Sequence, residues 1–528
     1  MNFTKSYRGG KRHFLWIALV ALATAGAWGQ SSSAAPDGAT PDSQAAAIQE
    51  LQSQVRELQS AIIEMRSEAS QSRSETADLR RELAATREEL AATHPASPGT
   101  SSSVTTEAAT ATPAAAANPT TDRIASLEDS TQLLTNKIDE QYQTKIESAS
   151  KYRVRLSGIV LLNLFSNRGM TDSQDVPTYA TSPNPYYSAG NFGATMRQSE
   201  IGLEVFGPRI AGARTEGNIQ ADFAGGFPNT LNGVNSGIFR LRIASVRMDW
   251  ANTSIVAGQD DLFLSPQSPT SFASLAVPAM SYAGNLWGWI PQVRVEHRFE
   301  ISDKQNFLVQ GGILDGVGGE PPYGVYGRTP QAGEASGQPS YGGRLAWTSS
   351  LFGHPLTLGG AGYFSRQDWG FDRYVNGWAG MADWNVPLAS RVTLSGEFYR
   401  GVAVGGLGGG FGESILWSGN PIDPTAQVRG LDSIGGWSQL KVRANSKLEF
   451  NGAYGMDNPY SADLRIFPST QTYVDPTLSR NQVALANFIF RPRSNLLFST
   501  EYRHLRTFHV TDVNYTASQI NLMMGILF

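Results

Sequence analysis

The sequence predicts an all-β transmembrane barrel of about sixteen antiparallel strands, with an N-terminal α-helical coiled-coil extension. Three observations predict it. From Lys151 onward hydropathy alternates with period two, in segments mostly about 9–14 residues long, the length a tilted strand needs to cross a hydrocarbon layer. The connections between these segments alternate between short and long. Upstream, apolar residues instead repeat with 3-4 spacing, the signature of a helical seam.

At the N-terminus, MNFTKSYRGGKRH is basic, with no acid, and FLWIALVALATAGAWG is apolar with small residues at its end, so 1–29 reads as a secretory signal peptide with cleavage at Ala25-Gly26-Ala27 or at Ala27-Trp28-Gly29. Residues 30–47 are a Ser/Ala/Pro-rich linker. Over 48–92 a heptad runs through Ile48, Leu51, Val55, Leu58, Ile62 and Met65, weakens at Ala69, Ser72 and Thr76, and resumes at Leu79, Leu83 and Leu90. Those positions predict an oligomerising coiled coil roughly 65 Å long. Residues 93–121 are an Ala/Thr/Pro-rich spacer, expected to be disordered. A short heptad over 122–150 (Ile124, Leu127, Leu134, Ile138) leads into the barrel, 151–528.

The expected strands are 152–165, 195–206, 211–224, 237–249, 253–259, 290–301, 305–314, 340–350, 356–365, 375–386, 391–402, 432–444, 446–456, 479–490, 494–506 and 515–528. RTEGNIQADF shows the pattern: Arg214, Glu216, Asn218, Gln220 and Asp222 on one face, Thr215, Gly217, Ile219, Ala221 and Phe223 on the other. A soluble propeller would need repeats of about 40–50 residues, and none is present. A polar face opposite an apolar one fits a large barrel, with a wet lumen inside and lipid outside.

Composition narrows the function classes. The formal net charge is -4, which gives no field for nucleic acid, and there is no cysteine for a thiolate metal site or nucleophile. No G-x-S-x-G, HExxH or phosphate-binding loop occurs. By parity His297 and His504 face lipid, away from any nucleophile. No catalytic residue, metal or cofactor is expected. The glycine-rich GVAVGGLGGGFG (401–412) lacks a lysine and reads as a flexible loop tip.

Several stretches resemble the trimeric outer-membrane porins of Gram-negative bacteria, and more closely the DcaP-type porins, with the phosphate-selective group as close competitor. They are the heptads of 48–90, Arg197-Gln198-Ser199, Gln220-Ala221-Asp222-Phe223, Phe239-Arg240-Leu241-Arg242 and Ala257-Gly258-Gln259. The resemblance covers about 150–300 and the last strand. It implies a homotrimer, a loop after the fifth strand that folds inward, and passive passage of small hydrophilic solutes, anions such as dicarboxylates among them. Implied partners are outer-membrane lipid, lipopolysaccharide and the assembly machinery; the coiled coil is long enough to reach peptidoglycan. The alternative is an outer-membrane anchor whose coiled coil is a periplasmic tether.

Within that frame a lumen selects by diameter and wall charge. Alternation points Arg153, Arg155, Arg214, Arg240, Arg242, Arg294, Arg298, Lys441, Arg443 and Arg503 inward, and Arg240/Arg242 with Arg294/Arg298 flank the fifth strand. Arginine suits anions because its fork is bidentate and permanently charged. Carboxylates such as Glu200, Glu296, Glu397 and Glu501 point inward too, so bracing of the wall competes with selectivity. The long loop 260–289 is rich in hydroxyls, prolines and aromatics, including Ser271 and Tyr282, and is expected to narrow the lumen. Its Asp260 and Asp261 are expected opposite the basic wall. The final QINLMMGILF alternates up to Phe528, expected to close the barrel and to act as an assembly signal.

Overall fold

A computed structural model describes residues 145–146, 153–227, 237–319, 328–466, 478–511 and 513–528. The predicted signal peptide, linkers and both heptad segments lie outside the described residues, apart from Lys145–Ile146. The barrel belongs to the C-terminal unit, Ala116–Phe528.

Sixteen wall strands close on themselves. They are β1 (Arg153–Arg168), β2 in two pieces (Gly190–Thr195 and Glu200–Phe206), β3 (Arg214–Asp222), β4 (Arg240–Asp249), β5 (Thr253–Asp261), β6 (Trp289–Ser302), β7 (Gln305–Leu314), β8 (Ser340–Leu351), β9 (His354–Asp368), β10 (Tyr374–Ala389), β11 (Val392–Val402), β12 (Asp432–Arg443), β13 (Leu448–Pro459), β14 (Leu478–Arg493), β15 (Leu496–His509) and β16 (Asn514–Leu527). Every strand pairs antiparallel with its sequence neighbours. The ring closes through β1 and β16, with Ile159 opposite Leu527 and Arg168 opposite Ser518. Closure matters because lipid offers no partner to a bare strand edge.

Phe528 sits in this seam. Gly158 N donates to Phe528 O at 2.9 Å, and Phe528 N donates to Gly158 O at 3.1 Å. Below that point the short strand Lys145–Ile146 continues the pairing along β1. On β16, Gln519, Asn521 and Met523 are buried inside, while Ile520, Leu522, Met524 and Ile526 are exposed outside, as the alternation predicts.

Two interruptions depart from ideal alternation. Between the pieces of β2 the ladder breaks at 196–199, and Leu161 N donates instead to Ser199 Oγ at 3.0 Å. In β4 a bulge falls where Gln220 pairs with Ile243 and Ala221 with Leu241, so Arg242 is the extra residue. Beyond it parity shifts by one. Arg247 and Asp249 therefore face the lumen, which strict alternation from Arg240 does not foresee.

The core lies inside the barrel, between the wall and three inserted loops. Leu262, Phe263, Leu264 and Leu286 of the loop after β5 pack with Tyr363, Tyr399, Val404 and Leu407. The glycine-rich run after β11 is thus no flexible tip. Val404, Leu407 and Phe411 are each about 1% exposed, and Gly410 N donates to Tyr399 Oη at 3.1 Å. The glycines let backbone come close to backbone: a Cβ on Gly405 would lie 2.4 Å from Gly412 O.

Candidate functional site

The loop 262–288 folds into the lumen and runs around the inside of the wall. Side chains of distant strands hold it. Ser265 Oγ and Gln267 N donate to the Glu397 carboxylate on β11 at 2.6 and 2.8 Å. Thr270 N donates to Gln439 Oε1 on β12 at 2.6 Å, and Ser271 Oγ to Glu501 on β15 at 2.5 Å. On the near side Gln198, in the break of β2, donates to Ala273 O and accepts from Leu275 N and Ala276 N. Arg240 donates to Ala276 O at 2.6 Å. At the far turn Gly284 (φ 93°) presses against β12, where a Cβ would meet Gly436 N at 2.2 Å. The break in β2 therefore has a purpose: it frees a buried amide to fasten the loop.

The loop encloses a space of about 390 Å³. Loop residues from Leu262 to Gly288, Ser265–Phe272 and Trp287 among them, line it on one side, and Arg242, Asp261 and Trp289 on the wall side. It lies where the inserted loop takes up part of the lumen. Wall carboxylates such as Glu397 and Glu501 lie behind the loop, bonded to it, and do not face the space.

The expected basic wall is present but neutralised. Arg240 is bidentate on Asp222. Arg242 pairs with Glu200, and its guanidinium carbon lies 4.5 Å from the Trp289 ring centroid. Arg294 bridges Asp260 and Glu296, both at 2.7 Å. Arg503 is 3% exposed and holds two loops, donating to Pro177 O and to Ser274 Oγ while pairing with Glu501 at 2.7 Å. These four are braces first. Asp260 and Asp261 also stand elsewhere than expected. β5 extends two residues further than alternation indicates, so both belong to the same wall as the arginines. Asp260 is taken up by Arg294, and Asp261 lines the space. Ser271 lines it too. Tyr282 is absent from the lining: it stacks edge-on against Tyr179 at 6.5 Å, and its carbonyl accepts from Asn481.

Nearer the short-turn end inward cations outnumber carboxylates. There Arg153, Arg155, Arg214, Arg247, Arg298, Lys441, Arg443 and Arg491 face inward, against Glu204, Glu216, Asp249, Glu296, Glu300 and Glu449. Eight cations against six carboxylates leave a positive surplus. Arg155–Glu204, Arg247–Asp249 and Lys441–Glu449 are paired, at 3.1, 2.7 and 3.6 Å; Arg443 reaches Glu449 only at 3.9 Å. Sequence alternation alone does not single out Arg247 or Arg491. The β4 bulge hides the first, and Arg491 sits where the last short turn is expected.

The outer surface is apolar, with Val293, Val295, Phe299, Leu345, Leu358 and Phe398 exposed. His504 does face outward, 3.0 Å from Ser518 Oγ.

A closed sixteen-stranded wall with an inserted loop after β5 can be compared with solved structures. The outer membrane channel DcaP of Acinetobacter baumannii superposes with a TM-score of 0.52 at 16% identity, over 72% of this chain and 99% of that one. The fold is that of an outer-membrane porin. An anion-selective porin from Comamonas acidovorans aligns over 72% of this chain and all of its own, at 10% identity and a TM-score of 0.42. OprB of Pseudomonas putida aligns at 12% identity, over 71% of this chain and 94% of its own, with a TM-score of 0.42. No family model and no curated protein matches the sequence. The porin architecture thus persists here at an identity where individual site residues are not inherited from the comparison, and the lining has to be read from this chain alone.

Proposed function

We propose that the protein is a passive outer-membrane channel for small hydrophilic solutes, with a preference for anions. The observation that carries the proposal is the loop 262–288, anchored by buried polar groups beside a polar, partly charged space inside a barrel whose outer face suits lipid. An anchor without a channel would have no use for a loop fastened by side chains all around a lumen. The anion preference rests on the surplus of cations at the short-turn end, where a charged wall raises the local concentration of counter-ions. This moves the expected selectivity away from Arg240, Arg242 and Arg294 and toward Arg153, Arg214, Arg298 and Arg443.

The proposed assembly is a homotrimer. The wall is lowest from the second piece of β2 to β5, where strands are 7–10 residues long, against 15 and 16 for β9 and β10. Large apolar side chains crowd near that low wall: Phe192, Phe227 and Phe239 are all at least 60% exposed. Export by residues 1–29, a periplasmic coiled coil over 48–92 and an assembly signal at Phe528 complete the proposal.

Purified protein in a planar bilayer should give stepwise conductance, and deletion of 268–284 should enlarge the steps and weaken ion preference. Absence of steps from correctly folded protein would leave only the anchor.

A further inference from the structure

The narrowed space has two charged side chains in its lining, one of each sign, and their surroundings are unequal. Arg242 is held from behind. Its Nε and Nη1 are buried on the side of Glu200 and Asp222, and its plane rests on Trp289. Asp261 makes no ion pair within 4 Å among the described residues, and its register partner on β6 is Trp289. Neighbouring carboxylates are all engaged: Asp260 by Arg294, Asp222 by Arg240, and Glu397 and Glu501 by the loop itself. The rest of the lining is hydroxyls, amides, prolines and apolar side chains, without net charge. A solute at this point therefore meets a guanidinium and an unpaired carboxylate in one lining.

We propose that this space is a subsite for zwitterions. Solutes with a carboxylate at one end and an ammonium at the other pass in preference to hydroxy-carboxylates of the same shape. The inference rests on the channel reading and goes further, to the class of solute. A carboxylate drawn toward Arg242 is also brought near Asp261. With a hydroxyl at the other end of the solute, Asp261 only repels. With an ammonium there, the repulsion is offset by a second charge-assisted contact. The cationic short-turn end collects the carboxylate end of both kinds of solute and does not discriminate between them.

The test compares γ-aminobutyrate with γ-hydroxybutyrate, which differ in an ammonium for a hydroxyl. Full-length protein is reconstituted in liposomes loaded with either labelled solute at neutral pH, and efflux is timed. The amino acid should leave faster by about fivefold, a fraction of the interaction of one partly wetted ion pair. Asp261→Asn keeps the side chain's shape and removes the charge; it should bring the ratio to one or below, chiefly by speeding the hydroxy acid. A wild-type ratio of one or less overturns the proposal. So does a ratio unchanged in D261N protein that keeps the wild-type heat-shifted gel mobility of a folded barrel. Efflux of neither solute overturns the channel reading and this proposal with it, whereas equal efflux overturns the proposal alone.

Discussion

Arg503 is the residue whose loss the structure values most clearly. It is 3% exposed, pairs with a Glu501 that is fully buried, and donates to Pro177 O in the loop after β1 and to Ser274 in the loop after β5. Arg503→Met keeps most of the bulk but strands the carboxylate. Glu501 retains Ser271 at 2.5 Å and Asn487 at 3.1 Å, neither of which carries charge. A buried pair broken on one side costs about 3–5 kcal/mol. Adding Glu501→Gln removes the stranded charge and should restore about half of that, because the remaining cost is the lost loop bonds at about 1–1.5 kcal/mol each. Denaturant unfolding in lipid vesicles, followed by tryptophan fluorescence, measures both. Single-channel records should show added open-channel noise in R503M as both loops loosen. A loss under about 1 kcal/mol, or a double variant less stable than the single, would refute the assignment of Arg503 as a brace.

Three further outcomes are expected from the same geometry. Gly284→Ala places a Cβ 2.2 Å from Gly436 N at a φ of 93°; the loop should undock at its far turn, giving larger and noisier conductance steps and a loss of about 1–3 kcal/mol. Burial pushes the Asp175 carboxyl up, but the Arg197 guanidinium, bonded at 2.6 Å, overrides this and holds it below the usual range. The stability it lends is therefore present above the unfolded value of about 3.9 and lost as pH falls through the lowered folded one. Protease cleavage within 169–189 should accordingly rise only in strong acid, and at neutral pH in Asp175→Asn. Removing Phe528 deletes both bonds to Gly158 at the seam; heat-shiftable folded barrel in the outer membrane should fall well below wild type.

Much of the fold is legible because a lipid-facing barrel must alternate. One face meets hydrocarbon and the other water, so every strand carries a period-two record, and the expected strands differ from those observed by a few residues at most ends. What alternation cannot record is a local break in itself. The interruption at 196–199 and the bulge at Arg242 depend on side chains that bond to a loop far away in sequence, Gln198 to Ala273 and Arg240 to Ala276. The candidate site is legible in outline and misplaced in detail. The loop 260–289 is expected to turn inward, and it does. Its two aspartates fall to the loop in the sequence because β5 looks shorter than it is. The inward arginines are recognisable, but which of them is neutralised depends on cross-strand neighbours such as Asp222 and Glu296. The glycine-rich run reads as a tip because glycine permits flexibility. Here it permits close packing instead, against Tyr399 and Val317.

The zero-current potential of the reconstituted channel in a KCl gradient tests the central claim most directly. A cation-lined short-turn end beyond a neutralised constriction predicts a potential with the sign of chloride preference, reduced when Arg298 and Arg443 are both changed to glutamine. A potential with the sign of potassium preference, or one that the double change leaves untouched, would contradict it.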